Sequence, residues 1–338
     1  MKQKKIIVLM GGPSAEGDVS RRTGAAILAA LQAKGYQAEG MELNPATLMT
    51  DLKEASCDVV FIAIHGKFGE DGAVQGTLEM MGIPYTGSGV MASAVAMDKA
   101  ATKDMFIAHG VPTPRSVFYD DRQDAGAIEE AIRRDFGVPV VIKAVAQGSS
   151  IGVSIVTEDS ALRAAIEEGF RYSEVILVEQ YIKGRELTVA VWDDGKTAQA
   201  LPVVEIRPHS GAYDYASKYT SGATDYLCPA PLTEAETAVV QEAAVKAFRS
   251  LRCGGIARAD VLLDAEGRPY VLEVNTIPGS LAYYLWTETG LPYSALIDEM
   301  VDCAMRAQEE KERNSFAFQS DILSGVSLGG KKGGKMKL

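Results

Sequence analysis

Apolar positions along the chain fall into short runs separated by polar turns. KKIIVLM at 4–10 has the unbroken apolar character of a buried parallel strand, and GGPSAEG after it reads as a turn. From Asp18 to about Ala33 the apolar residues Val19, Ala26, Ile27, Ala30 and Leu31 recur at helical spacing. A second strand is predicted from Tyr36 to Glu42. A third, DVVFIAIHG, is predicted from Asp58 to His65. Strand, helix and strand in repetition imply a parallel sheet covered by helices, an α/β arrangement. Ligands of such sheets meet the loops at the C-terminal strand ends, which places Glu16 and His65 at one rim.

The pattern then changes. MDKAATKDMFIAHG predicts a helix stopped by Gly110 and the prolines of VPTP. VPVVIKAV is a strand carrying one lysine, QGSSIGVSIV a glycine-serine loop entering a strand, and SEVILVEQYI a strand ending in a glutamate. Further strands are RELTVAVW, IARADVLLD and PYVLEVN, with a long loop, RPHSGAYDYASKYTSGATDY, after the first of them. Helices are predicted over Glu234 to Leu251 and Tyr293 to about Glu312. The lysine- and glycine-rich end, LGGKKGGKMKL, buries too little to offset its ordering entropy and reads as a solvated tail.

Composition narrows the function. At 338 residues and 47% hydrophobic, the chain has material for two or three domains. A net charge of -11 disfavours nucleic acid or an anionic membrane as partner and points to small substrates. Cys57, Cys228, Cys253 and Cys303 form no C-x-x-C pair, as expected of reduced thiols in a cytoplasmic protein. The apolar run after the basic N-terminal residues stops at glycines, too soon for a signal peptide, and no later run has membrane-spanning length.

The candidate chemistry lies in strands that carry charge. IARADVLLD and PYVLEVN flank DAEGRP, and a two-residue turn at Glu266 and Gly267 would set Asp260 opposite Glu273 and Arg258 opposite Asn275. Residues two apart share a face, so the four form one polar patch. Facing carboxylates destabilise a sheet unless a cation lies between them. An all-oxygen set of Asp, Glu and Asn suits Mg2+ or Mn2+ with phosphates and water completing the shell. The other reading is a solvated outer face, and a bulge or longer turn would change the register. Lys143 has apolar strand neighbours, so its charge needs an anion or a water-filled cleft; a lysine snorkelling from a strand end is the alternative. QGSSIGVS could cover phosphates with backbone N–H groups, but no G-K-[ST] follows. Glu179 and Glu186 taken alone are two acids near a strand end.

Taken together these residues resemble the ATP-grasp ligases, and within them the D-alanine:D-alanine ligase family. Nine segments appear in the family's order: MGGPSAEGDVS, HGKFGEDGAVQG, IPYTGSG, MDKAATK, VIKAVAQGSSIGVS, VEQYIKGRELTV, YDYASKYTSGATDY, ARADVLLD and LEVNTIPG. They span roughly residues 4 to 305. The resemblance implies an ATP-dependent ligase in which one D-alanine carboxylate attacks the γ-phosphate and a second D-alanine amine attacks the acyl phosphate. The product is the dipeptide used in peptidoglycan.

Residue by residue, the resemblance makes Asp260, Glu273 and Asn275 ligands of two Mg2+ or Mn2+ ions. Lys99, Lys143 and Lys218 match phosphate-contacting lysines, Lys218 lying on a closing ω-loop. Gly148, Ser149 and Ser150 match the flap over the triphosphate. Glu179 takes the adenine hinge position, with backbone groups near Ile182, and Glu186 the ribose position. Glu16 matches the carboxylate that holds the first substrate's ammonium, linked through Ser149 and Tyr219 to the ω-loop; alone, it could cap its helix. His65 lies near that substrate, as a base or a positioning group. Arg258 and the Gly279 N–H match the oxyanion stabilisers. PGSLAYYLW departs from the family's P-G-[MF]-T-x-x-S: Ser280 directly follows Gly279, and the later serine of the second-substrate site is missing.

The expected fold is a three-domain α/β ATP-grasp architecture, α+β in parts. Its divisions are 1–95 for the first substrate, 96–182 and 183–312 for ATP and metal, and 313–338 as a flexible tail. A homodimer is implied by the resemblance alone. Competing functions are a ligase joining D-alanine to another amine such as D-serine, and a nucleotide-binding regulator without turnover. A Rossmann oxidoreductase lacks its G-x-G-x-x-G.

Overall fold

The computed structural model describes residues 4–145, 152–209, 222–282, 289–290 and 292–313. The strand-helix alternation of the first segment forms a parallel sheet of β1 (Lys5–Met10), β2 (Gln37–Glu42) and β3 (Val59–Ile62), ordered β2-β1-β3. Helices α1 (Gly17–Ala33) and α2 (Leu48–Ala55) connect them. Ile6 to Leu9 of β1 are fully buried, as a strand covered on both faces requires. The third strand is shorter than its apolar run. β1 ends at Met10, so after Ile62 the pairing continues only from the Ala63 N–H to the Leu9 carbonyl, at 2.9 Å. The chain then leaves the sheet and delivers His65 to the rim.

Three helices follow: α3 (Ala73–Met81), α4 (Val90–Met97) and α5 (Lys99–Ala108). Met97 closes α4 rather than opening the next helix. Asp98 caps α5, its carboxylate accepting from the Ala100 and Ala101 N–H groups at 2.8 and 3.0 Å.

The central sheet is antiparallel, with β4 (Ser116–Asp120), β5 (Val140–Ala144), β6 (Val153–Val156) and β7 (Val175–Gln180) in the order β4-β7-β5-β6. Val140, Ile142, Ile176 and Val178 pack against α6 (Ala125–Asp135) and α7 (Leu162–Phe170). Strand alternation turns Lys143 and Glu179 to the opposite face.

The third sheet has six strands: β8 (Gly184–Asp193), β9 (Ala198–Ala200), β10 (Val204–Pro208), β11 (Thr224–Leu227), β12 (Gly255–Asp264) and β13 (Pro269–Asn275). Their order is β11-β10-β8-β12-β13, with β9 on β8. β10 and β11 bracket the long loop, of which residues 210–221 lie outside the described part. One face, including Val189, Ala259, Val261 and Val271, packs on α8 (Glu234–Ser250). At one end of the other face Ala190, Trp192 and Ile256 join the core of the first sheet, together with Leu296, Ile297 and Met300 of α9 (Tyr293–Glu312). Farther along that same face the apolar side chains give way to charge.

Candidate active site

The β12–β13 hairpin reaches the expected pairing by two departures that cancel. The Gly267 N–H donates to the Asp264 carbonyl and the Asp264 N–H to the Arg268 carbonyl, so the turn holds three residues, with Gly267 at φ 75°. A bulge between Asp260 and Val261 then adds a residue on β13, since Val261 faces Val271 while Asp260 faces Glu273. Asp260 still meets Glu273, and Arg258 still meets Asn275. The bulge also sends Val271 to the core while Glu273, two residues on, joins the polar face.

Asp260 is the hub of that face. Arg258 donates to both its oxygens, from Nε at 2.9 Å and a terminal nitrogen at 3.0 Å. Thr188 Oγ1 donates to Oδ1 at 2.7 Å and Asn275 Nδ2 to Oδ2 at 3.2 Å. The two-pronged contact fixes the plane of the guanidinium. Glu186 on β8 lies opposite Leu262, two places from Thr188, and shares the same face. Among the described residues no three His, Cys, Asp or Glu side chains gather as a metal cage. Asp260, Glu273 and Asn275 are thus an oxygen-rich, incomplete donor set, suited to a cation that brings phosphate oxygens with it.

Lys143 and Glu179 stand across from this hairpin. Lys143 lies opposite Leu177 in the β5–β7 register, which makes Glu179 its diagonal neighbour, and the two form an ion pair. Lys103 of α5, 1% exposed, is 2.5 Å from the other Glu179 oxygen. Burial opposes the Lys143 ammonium, yet Glu179 more than offsets it and its pKa is raised. At Lys103 burial prevails over Glu179 and lowers the pKa to about 8. Burial likewise opposes the Glu179 carboxylate, but the two lysines hold its pKa below the usual range. Glu273 acts electrostatically on both lysines, which places the central-sheet face and the hairpin face about one cleft. Lys99 is the first residue of α5, and Ile182 lies in the link between β7 and β8.

The rim of the first sheet closes a second side. Glu16 sits at the N-cap position of α1, but its side chain does not cap the helix. Its carboxylate instead lies against Gly66, where a Cβ would come within 2.6 Å of Oε2; Gly66 at φ 70° leaves that space. His65 is buried, with Nδ1 2.8 Å from the Ile277 carbonyl and Nε2 2.8 Å from Thr23 Oγ1. A carbonyl only accepts, so Nδ1 carries the proton and Nε2 accepts from Thr23. Burial lowers the His65 pKa, with Ile277 and Glu16 acting the other way. Glu70 accepts from the Gly66 N–H at 2.8 Å and the Ile277 N–H at 2.9 Å. His65 and Glu70 therefore hold both polar groups of the Ile277 backbone, two residues after Asn275. Arg258 acts electrostatically on both of them, so hairpin and rim converge. Gly279 opens a 3₁₀ turn, Gly279–Ala282, that contains Ser280; among the described residues beyond its chain neighbours, none comes within 4 Å of where a Gly279 Cβ would sit.

Gly148, Ser149, Ser150, Lys218 and Tyr219 lie outside the described residues. Lys103, Glu70, Thr188 and Thr23 enter the site without having been singled out from the sequence. Lys103 had one available signal, its i, i+4 spacing from Lys99 on α5. Glu70 lies within the family segment HGKFGEDGAVQG.

Comparison with known proteins gives the same direction. The family model for the D-ala D-ala ligase C-terminus matches residues 106–302, and that for the N-terminus matches residues 43–88. The D-alanine--D-alanine ligase of Herminiimonas arsenicoxydans is 47% identical over 282 residues, covering 83% of this chain and 84% of the relative. The crystal structure of the Bacillus anthracis ligase complexed with ATP is 33% identical, with a TM-score of 0.77, covering 91% of this chain and 99% of that one. The VanG D-Ala:D-Ser ligase of Enterococcus faecalis is 28% identical, with a TM-score of 0.76 over 89% of this chain and 99% of its own.

Proposed function

We propose that this chain, which belongs to the D-alanine:D-alanine ligase family, is the ATP-dependent, ADP-forming ligase that joins two D-alanine molecules for peptidoglycan synthesis. The observation that carries this function is the meeting of two charged sheet faces. Lys143 and Glu179 are on one, and Glu186, Arg258, Asp260, Glu273 and Asn275 on the other. ATP fits between them, its phosphates toward Lys99, Lys143 and the hairpin, its ribose toward Glu186, and its adenine at the link around Glu179 and Ile182. The divisions 1–95, 96–182 and 183–312 then put ATP between the second and third units and amino acids between the first and third.

Glu16 holds the ammonium of the first D-alanine, aiming its carboxylate at the γ-phosphorus. An oxygen–phosphorus bond forms there, the bond to ADP breaks, and an acyl phosphate results. The neutral amine of the second D-alanine attacks the acyl carbon, the bond from that carbon to the phosphate oxygen breaks, and the nitrogen's surplus proton leaves with the departing phosphate. Arg258, held by Asp260, and the Gly279 N–H face the oxyanion between those events. His65 positions rather than accepts the proton, since both its ring nitrogens are engaged. The oxygen donors of Asp260, Glu273 and Asn275 suit Mg2+ or Mn2+, two ions in the family's pattern, which when bound neutralise phosphate charge. Gly148, Ser149, Ser150, Lys218 and Tyr219 carry the closing elements by family likeness, and Ser280 is the candidate for the second substrate's carboxylate.

Phosphate release from ATP and Mg2+ with a panel of D- and L-amino acids tests this function. D-alanine alone should support turnover to D-alanyl-D-alanine. Release only with D-serine present would favour the mixed ligase, and none at all a non-catalytic regulator. Arg258→Ala and Glu273→Gln should each lower kcat about 10²-fold or more; near-normal rates in both would remove their roles. We read the enzyme as cytoplasmic, and none of the described helices is long and apolar enough to cross a membrane. We also read it as a homodimer, supported by exposed Met80 on α3 and Val90 and Met91 on the adjoining α4.

A further inference from the structure

Two lysines answer the Glu179 carboxylate, and they are not equivalent. Lys103 Nζ lies 2.5 Å from Oε1 with its side chain 1% exposed; Lys143 pairs with Oε2 and keeps 14% of its side chain exposed. Lys103 also donates to Thr113 Oγ1, whose hydroxyl donates to the Val271 carbonyl of β13 at 2.7 Å. One lysine is sealed in and tied on two sides, while the other can be reached from the cleft. The two ammonium groups also repel each other across the carboxylate.

A buried carboxylate stripped of its cation carries a large penalty. If Lys143 were the sole partner of Glu179, any other anion would have to draw it away against that penalty. We propose that Lys103 is a positioning residue for the nucleotide: it acts as the permanent counter-ion of Glu179 and thereby frees Lys143 for the phosphates, an assignment that rests on Lys143 contacting them. Lys103 need touch neither ATP nor amino acid. Its tie through Thr113 to β13 keeps this counter-ion in step with the strand that bears Glu273.

Calorimetric titration of the full chain with ATP and with adenosine tests the assignment. Lys103→Met should weaken ATP binding about tenfold or more and adenosine binding less than about twofold, because only phosphates call on Lys143. In a Glu179→Gln background, where no carboxylate needs a counter-ion, the same change should alter ATP affinity less than about twofold. That second comparison also serves if Lys103→Met alone does not fold. Equal losses for ATP and adenosine, or a tenfold loss persisting with Gln at 179, would overturn the proposal. Lys143→Met should lose ATP selectively over adenosine. If it does not, the phosphate role of Lys143 fails and the proposal with it. If it does while Lys103→Met leaves ATP unaffected, only the role of Lys103 fails.

Discussion

Glu70 accepts two backbone N–H groups where the first sheet meets the hairpin strand's exit, and its surroundings hold its proton unusually long. Burial raises its pKa to about 7 from 4.5; Glu16 pushes the same way, and the Gly66 and Ile277 N–H groups oppose. The folded-state value lies above the unfolded one, so between these two pH values the native chain retains a proton that the unfolded chain has lost. Stability from this group is therefore full below about pH 4.5 and declines as pH rises toward about 7. Unfolding by denaturant at several pH values should show wild type losing stability relative to Glu70→Gln across that window, and a constant difference would refute it. The sequence hides such a residue. Asp260, Glu273 and Asn275 were legible because charge interrupts apolar strands. Glu70 and Lys103 sit in polar segments, and their importance comes from partners, Ile277 and Glu179, that only folding brings near.

The hairpin makes the same point for whole elements. Its facing pairs were readable from alternation and the Glu-Gly turn, but the three-residue turn and the compensating bulge were not, because offsetting one-residue changes leave the far register unaltered. Strands β9 and β11 carry no signal in the sequence for a different reason. AQA and TDYL are too short for a period of two to register, and their alignment comes from β8 and β10 rather than from their own pattern. The turn offers a clean measurement. Gly267 holds φ 75°, and among the described residues beyond its chain neighbours none lies within 4 Å of a would-be Cβ, so Gly267→Ala introduces backbone strain and no clash with them. Chemical denaturation should show a loss of about 1 kcal/mol, with Gly267→Asn losing less because asparagine tolerates this conformation. No loss in the alanine variant would mean the turn relaxes.

At the scale of the molecule, the cores are divided unequally. The first sheet shares one continuous core with β8, β12 and α9, and Lys34 of α1 adds an ion pair to Asp298 of α9 at 2.6 Å. The family segments pointed to three units, but this fusion comes from the second face of β8 and β12, whose Ala190, Trp192 and Ile256 carry no mark of their partner in the sequence. The central sheet keeps its own core around Ile132, Ile142, Ile166 and Ile176. Separate cores can open separately. In native-state deuterium exchange, amides of β5 and β7 should therefore escape through a partial unfolding that leaves β1, β8 and β12 protected. A single opening free energy across all five strands would contradict this. In the proposed binding mode this division gives the nucleotide a thermodynamic task beyond reactivity: by gripping both walls of the cleft, ATP would merge two bodies expected to melt separately into one cooperative unit.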